Sequence, residues 1–555
     1  VVLARFEDWK RGAKDDTQKL LNLVTDALEV GLVDEAVAMS DQLLAAVQAK
    51  KATTPQVDRF VAAYTPLQST QKGFKARVTN AGPAAAWKQK LSQGRGFHDA
   101  EIYPSAHYDL IAWGGVRTAE ANRRLEQLEM NLRAFYLWYA TRGVQLPLPD
   151  QRLPVALTAG PDDVRFLASV LDANGVMTDG FYAPDHELLV LSPDRVDEIG
   201  ITFQRQVHPE SYLPNSPIWL LNEDGQGKAN GKKAAEVARM MTWAMADVFN
   251  QRDSEIAATS REGSRQLFHA SGLLPRHVAA PAWLNHGSAE FFHRPRGPVY
   301  TDGPEDKTVA TLGLTTGYGT ANFAQQKLFR DLSDKKLLPA DPAVLLRNVV
   351  TDTYFTAVSA RLDADDPKLP KPKAPPKTPM PMTPGGEGPM PMIGPMIPGI
   401  GGPPGTPMAG APVEDPQAYE RRRQAFLVNK ARSTSWALYH HLATNHADGL
   451  RRYFAELDKL PRDMPLDGNA NLAVFMTAFN LTTAPTPEAG KVAFGQFARE
   501  WLDATATLAM SGVDITLHAP APPMMSNPTN PGGGIPGLSP GGPGGPGGPG
   551  RGPGP

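Results

Sequence analysis

REGSRQLFH, residues 261 to 269, carries Arg, Glu and Arg at its first, second and fifth positions. On a helix, positions i and i+4 share a face, so Arg261 and Arg265 stand one above the other with Glu262 beside them. The spacing is that of H-E-x-x-H, in which two imidazoles hold a zinc ion and the Glu takes a proton from metal-bound water. Arginine stays protonated and has no lone pair to give. This helix therefore keeps the carboxylate of that pattern and lacks both of its ligands. Ala257, Arg261, Ser264 and Phe268 fall along one stripe, which turns Arg261 toward the interior. A buried guanidinium must be paired, since stranding one costs several kcal/mol. Glu262 and Glu290 are the expected partners.

The stretch after this helix, ASGLLPRHVAAPAWLNHGSAEFF, ends in a second apolar helix pattern with Trp283, Gly287, Ala289 and Glu290. Upstream, HYDLIAW (107 to 113) alternates like a strand. A helix follows with Leu125, Leu128, Leu132, Phe135, Tyr136 and Tyr139 on one side. RLPVALTA (152 to 159) and ELLVLSP (187 to 193) read as short buried strands, the second preceded by the turn-like DGFYAPDH. Residues 233 to 250 read as a helix with Val237, Met241, Ala244 and Val248 inward. Residues 15 to 50 read as a helical hairpin. Leu20, Leu21, Val24 and Leu28 stripe its first helix, Gly31 stops it, and Leu43, Leu44 and Val47 stripe the second. Strands interleaved with helices in this way define an α+β fold with a small mixed sheet.

Length and composition set the outer limits. The chain has 555 residues, too many for one ordinary domain, and its 53 Pro and 51 Gly concentrate in two tracts. Residues 367 to 416 and 519 to 555 lack the side chains for a packed core and are expected to be disordered. The Gly-Gly-Pro triplets of the tail are too few for a triple helix. The expected organisation is an N-terminal helical region (1–100), a domain in two parts (105–366 and the helical 417–507), and the two disordered tracts. A net charge of −2 gives no basic field for nucleic acid. No apolar run is long enough to span a membrane. The absence of cysteine excludes disulfides, thiolate zinc sites and cysteine nucleophiles. Beginning at Val1 rather than Met, the chain is expected to be a fragment or a processed product.

Read together, these segments resemble a bacterial peptidase-MA-like domain family of unknown function, similar to zinc metallopeptidases of the gluzincin type, with this chain a degenerate member. There the zinc helix is followed by a helix carrying W-x-x-E-G-x-A-E, whose first Glu is the third ligand. AWLNHGSAEFF (282 to 292) matches that pattern at Trp283, Gly287, Ala289 and Glu290, but has His286 at the ligand position. DGFYAPDHELLVLSP is similar to the edge-strand region before the zinc helix, and STSWALYHHL (433 to 442) to the C-terminal helix that packs behind it. The resemblance covers about 105 to 505, without the Pro-rich insert. It implies a zincin-like domain in which Arg261 and Arg265 occupy the two His positions, His286 the third-ligand position and Glu262 the vestigial general-base position. It also points to export.

A zinc hydrolase needs three protein ligands and an open position for water. One imidazole does not supply that. Of the 12 His, His269, His277, His286 and His293 cluster nearby, but His286 and His293 are seven residues apart, about 10 Å along a helix axis. His269 and His277 fall on different elements. No cofactor is expected, and zinc only if the site has been rearranged. Two arginines beside two carboxylates read as a salt-bridged, metal-free core. The sharper reading has Arg261, Arg265, His286 and Glu290 lining a cleft for a peptide or another anionic ligand, because Arg forks suit carboxylates and phosphates. Tyr439, His440 and His441 lie on the C-terminal helix, where adjacent His point apart and packing roles are expected. DGQGKANGKK (224 to 233) lacks phosphate-loop spacing, and His208, Glu210 and Tyr212 form no ligand pattern.

The function expected is therefore a non-catalytic metallopeptidase-like protein that binds or scaffolds, perceiving extended peptide along the strand region from Gly180 to Leu191. An active zinc metallopeptidase is the alternative, and would show H-E-x-x-H where this chain shows R-E-x-x-R. A third reading, a structural envelope component, requires that deleting 367 to 416 and 519 to 555 abolish association while the folded core survives.

Overall fold

Gly31 turns the N-terminal pattern. Its φ of +82° is a conformation that glycine adopts without penalty. It joins the helix Thr17–Glu29 (α2) to Val33–Gln48 (α3), the hairpin expected from the Leu spacing. Asp16 starts α2 by accepting from the backbone N–H groups of Gln18 and Lys19. Val2–Ala13 (α1) precedes this pair, and Pro55–Gln68 (α4) and Ala84–Ser92 (α5) follow it.

The computed structural model describes residues 2–193, 252–294, 317–360 and 416–508, apart from 14–15, 50–51, 70–72, 81, 94–96, 98, 117, 172, 174–178, 253, 465 and 482–486. The helix expected at 233–250, the loop 224–233, His208, Glu210 and Tyr212 lie outside the described residues. So do the tail and all of the Pro-rich insert but its last residue.

The sheet is built from Glu101–Pro104 (β1), Tyr108–Ala112 (β2), Leu153–Leu157 (β3), Gly180–Ala183 (β4) and Leu188–Leu191 (β5), in the order β1-β2-β3-β5-β4. The three central strands run parallel, with Tyr108 opposite Leu153 and Val155 opposite Leu189. The outer strands are antiparallel to their neighbours, Phe181 opposing Val190 at one edge. The mixed sheet and the surrounding helices make the protein α+β.

The alternation of HYDLIAW sends side chains into two cores. Tyr108, Leu110 and Ala112 enter the large core on one face, while Ile111 joins Ala156, Phe181 and Val190 in a second core on the other. Trp87 and Leu91 of α5 and Val164 and Leu167 of the helix Pro161–Val170 (α7) cover that second face. Both faces being covered, every residue of β2 and β3 is buried. DGFYAPDH is likewise only partly a turn. Phe181 and Tyr182 each have a core to enter, so Gly180–Ala183 is a strand, and the turn proper is the short 3-10 segment Pro184–His186.

The large face of the sheet carries Thr118–Ala140 (α6) and the helix at 254–270 (α8) that contains REGSR. Nearly every residue of α8 from 254 to 268 is buried, which is unusual for a helix so rich in polar side chains. Its surroundings explain this. Gln266 Nε2 donates to the Pro154 carbonyl of β3 at 3.0 Å, Ser264 meets Asn131 of α6 at 3.2 Å, and Phe268 packs edge-on against Phe135. Ala282–Phe292 (α9) follows, then Phe323–Asp334 (α10), Pro342–Val350 (α11) and Thr353–Ser359 (α12). The expected C-terminal helical part divides into Pro416–Asn445 (α13), Ala447–Leu457 (α14), Gly468–Ala478 (α15) and Pro487–Thr507 (α16). Helices α1 to α4 share the large core with α6, α9 and α13. Among the described residues no helix is long and apolar enough to cross a membrane.

Candidate functional site

Four helices bring the charged residues together. Arg261, Glu262 and Arg265 come from α8, His286 and Glu290 from α9, Gln325 from α10 and Arg432 from α13. Asp352 fixes the start of α9. Its carboxylate accepts from the backbone N–H groups of Ala282 at 2.8 Å and Trp283 at 2.7 Å. Gly287 lets α9 lie directly on α13, since a Cβ there would stand 2.5 Å from the carbonyl oxygen of Ser435.

Glu262 is clamped from two sides. Arg261 Nε donates to Oε1 and Arg265 Nη1 to Oε2, each at 2.9 Å. Burial works to raise this carboxyl, but the guanidiniums of Arg265 and Arg261 outweigh it and hold it down at about 2. Arg261 is itself raised. Burial disfavours its charge, yet Glu262 and Glu290 more than compensate. Pairing of Arg261 with Glu262 is what the sequence led us to expect.

Glu290 differs from that expectation. Its direct partners are Arg432, with Nε 2.7 Å from Oε1, together with His293 Nδ1 and Gln325 Nε2, both 2.9 Å from Oε2. Arg432 Nη2 bonds Oε1 as well. Glu290 is fully buried, which raises a carboxyl, but Arg432 and His293 hold it well below the usual range. Arg261 feels Glu290 only through space. Burial and then Arg265 push the His286 imidazole down to about 3, so it is neutral at ordinary pH. Its ring stacks on Phe355 with centroids 4.7 Å apart.

At neutral pH the cluster thus holds three guanidiniums against two carboxylates. Arg261 Nη2 and Arg265 Nε find no hydrogen-bond partner among the described residues. As a donor set for zinc the arrangement does not fit. Both oxygens of each carboxylate are already engaged, His293 Nδ1 is held by Glu290, and the His286 imidazole cannot make a site alone.

Beside this cluster runs an open groove of about 1120 Å³. Tyr182 of β4, Glu187 of the β4–β5 turn, Gln266 of α8 and Asn285 of α9 line it, along with Arg276 and Asp463. Gln266 and Asn285 are the immediate neighbours of Arg265 and His286, so the groove passes one residue away from the charged cluster. Its charges are mixed. Arg276 Nη1 pairs with Glu187 Oε1 at 2.6 Å, and His277 Nδ1 lies 3.4 Å from Asp463 Oδ1. Gln266 presents a buried Oε1 with no partner among the described residues. β4 is the last strand in the sheet order, and no described strand lies on its outer edge.

His269 and His277 fall on different elements, as their spacing suggests, and His269 is pushed down to about 3 by burial, Arg265 and Arg276. Tyr439 meets Tyr139, with hydroxyls 3.3 Å apart, and is fully buried. Arg432 and Gln325 were not anticipated from sequence. They come from helices 142 and 35 residues away from Glu290, and no local pattern marks them. No protein-family model, curated protein or solved structure matches this chain.

Proposed function

We propose that this chain is a metallopeptidase-like protein that lacks metal at its REGSR helix, does not hydrolyse, and binds extended peptide along the groove beside β4. The observation that carries the reading is the double clamp on Glu262. A general base must have an oxygen available for a water proton and a pKa near the working pH, and Glu262 has both oxygens engaged and a pKa of about 2. Arg261 and Arg265 stand where the resemblance puts the zinc-binding His, and they supply fixed positive charge in place of a dication.

The peptide part rests on the groove. Tyr182 of the outer strand, the side chains of Gln266 and Asn285 and mixed wall charges suit an extended ligand with few charges of its own. A single strong anion would call for the guanidiniums to face the groove, and Arg261 and Arg265 are not among its lining residues.

The test is a pooled library of extended peptides offered to the full chain, with bound peptides identified by mass spectrometry. Enrichment of a peptide class without new termini is the expected result. Ala279→Trp, an exposed position in the groove wall, should weaken capture at least about tenfold, or roughly 1.4 kcal/mol. New peptide termini that vanish in Glu262→Gln would establish an active hydrolase instead. No enrichment of any peptide would remove the ligand class.

A further inference from the structure

His441, one turn before the end of α13, has an unpaired ring nitrogen. Only 2% of the residue is exposed, and its Nε2 has no hydrogen-bond partner among the described residues. A buried polar nitrogen left in that state is costly. What it shares its surroundings with is His446 and Glu500. The ligand atoms of the three residues lie within 4.8 Å of one another, and the two imidazole centroids are 4.8 Å apart.

We infer that His441, His446 and Glu500 form a binding site for a divalent transition-metal ion, zinc foremost. On an uninterrupted helix, residues five apart would point about 140° away from each other. Here α13 stops at Asn445, and His446 caps α14 with φ −130° and ψ 39°. That break brings the second imidazole round beside the first. Glu500 arrives from α16, and His446 Nε2 lies 3.0 Å from its Oε1.

The chemistry matches on three counts. Two imidazoles and a carboxylate are a zinc donor set, whereas an oxygen-only set would favour magnesium or calcium. Tetrahedral zinc with bonds of about 2.0–2.2 Å needs its donors roughly 3.4 Å apart. The ligand atoms therefore have to draw in by up to about 1.4 Å, with the partly exposed His446 and Glu500 moving toward the buried His441. Asn445 also holds the His441 ring from its other nitrogen. Asn445 Nδ2 lies 3.0 Å from His441 Nδ1. With its amide turned over, Asn445 accepts Nδ1–H through its carbonyl oxygen, leaving the Nε2 lone pair for the metal.

Phe497 walls the site on the inner side, with its ring centroid 6.0 Å from His441 and 5.0 Å from His446. The outer side, at His446 and Glu500, is open, so water can complete the coordination. Three protein ligands and an open position allow more than a structural role. The inference does not depend on the reading of the REGSR helix, whose residues are all different.

The experiment uses the full chain, stripped with chelator and titrated with zinc against a chromophoric competitor, with bound metal counted by elemental mass spectrometry. Wild type should take up one zinc per chain. His446→Gln and Glu500→Gln, both at accessible positions, should each weaken it at least about tenfold, and Asn445→Ala by about 10-fold to 100-fold. His286→Phe should leave it unchanged. Cobalt in place of zinc should give visible absorption typical of a tetrahedral ion. A wild-type chain that binds no zinc, or zinc indifferent to both His446→Gln and Glu500→Gln, overturns the site. Zinc lost instead in His286→Phe would overturn both this site and the metal-free reading of the REGSR helix.

Discussion

Arg432 and Glu290 meet across two helices in the interior, the guanidinium Nε 2.7 Å from Oε1 and the carboxylate wholly shielded from solvent. The pair joins α13 to α9, and through Gln325 and His293 the same carboxylate also ties in α10 and the end of α9. Removing the cation strands a charge that water cannot reach. Arg432→Met should cost about 3–5 kcal/mol in urea unfolding, the usual penalty for breaking a buried pair from one side. Replacing both partners, Arg432→Met with Glu290→Leu, should recover part of that loss. A single substitution costing under about 1 kcal/mol would mean that the pair is worth no more than a surface one.

Two glycines in the same region should respond oppositely to one added methyl group. At Gly287 a Cβ would meet the Ser435 carbonyl oxygen at 2.5 Å and Tyr439 Cβ at 3.0 Å. Backbone cannot swing aside, so Gly287→Ala must push α9 off α13. A loss of about 3 kcal/mol is expected, the upper end for overpacking. At Gly263 the nearest atoms are Leu128 Cδ2 at 3.2 Å and Asn131 Nδ2 at 3.3 Å, both at the ends of side chains. There the gain in helix propensity, about 1 kcal/mol, offsets the crowding. Gly263→Ala should shift the melting temperature little, and equal destabilisation by the two variants would refute the distinction.

Acid should weaken the fold before it protonates ordinary carboxylates. His269 and His286 are both held at about 3 in the folded chain against an ordinary imidazole value of 6.5. Between those values the unfolded chain binds the protons and the folded chain does not, so stability falls as pH drops from about 6.5 toward 3. For His286 the facing groups are Arg265, Glu262, Arg432 and Glu290; for His269 they are Arg265 and Arg276. Glu262, lowered to about 2, adds loss in the same direction below the ordinary carboxyl value of 4.5. Asp352 opposes: burial raises it to about 6 from 3.8, so it favours the folded chain as pH falls through that window. His286→Phe removes one of these protons. The slope of unfolding free energy against pH between about 4 and 6 should then drop by about 1.4 kcal/mol per pH unit. An unchanged slope would show that His286 titrates normally.

Local pattern made much of this molecule readable in advance, and long-range pairing made the rest invisible. Leu20, Val24 and Leu28 marked α2 because helical period is local, and Gly31 marked the turn because few other residues take its backbone angle cheaply. HYDLIAW marked a strand but not its burial, since the helices α5 and α7 that cover its second face lie outside the segment. The Arg261–Glu262 contact was legible because the residues are adjacent. Arg432 was not, because nothing in an isolated α13 sequence says which buried carboxylate it will meet. The His441–His446 pair was hidden for a sharper reason: read as continuous helix, the spacing separates the rings, and only the break at His446 unites them.

Restoring the ligands tests the resemblance directly. In Arg261→His with Arg265→His and His286→Glu, two imidazoles and a carboxylate would stand where the gluzincin pattern requires them. The two guanidiniums that hold Glu262 down are gone in that variant, so without metal it should be less stable than wild type. A zinc ion at the new site would return the positive charge. Zinc should then raise the melting temperature, by the equivalent of about 2.7 kcal/mol at a hundredfold excess over Kd. The measurement belongs in a His446→Gln background, so that uptake at the His441 cluster does not contribute. A folded variant whose melting temperature ignores zinc would mean that α8 and α9 do not present these three positions to one point, and the gluzincin alignment would fail with it.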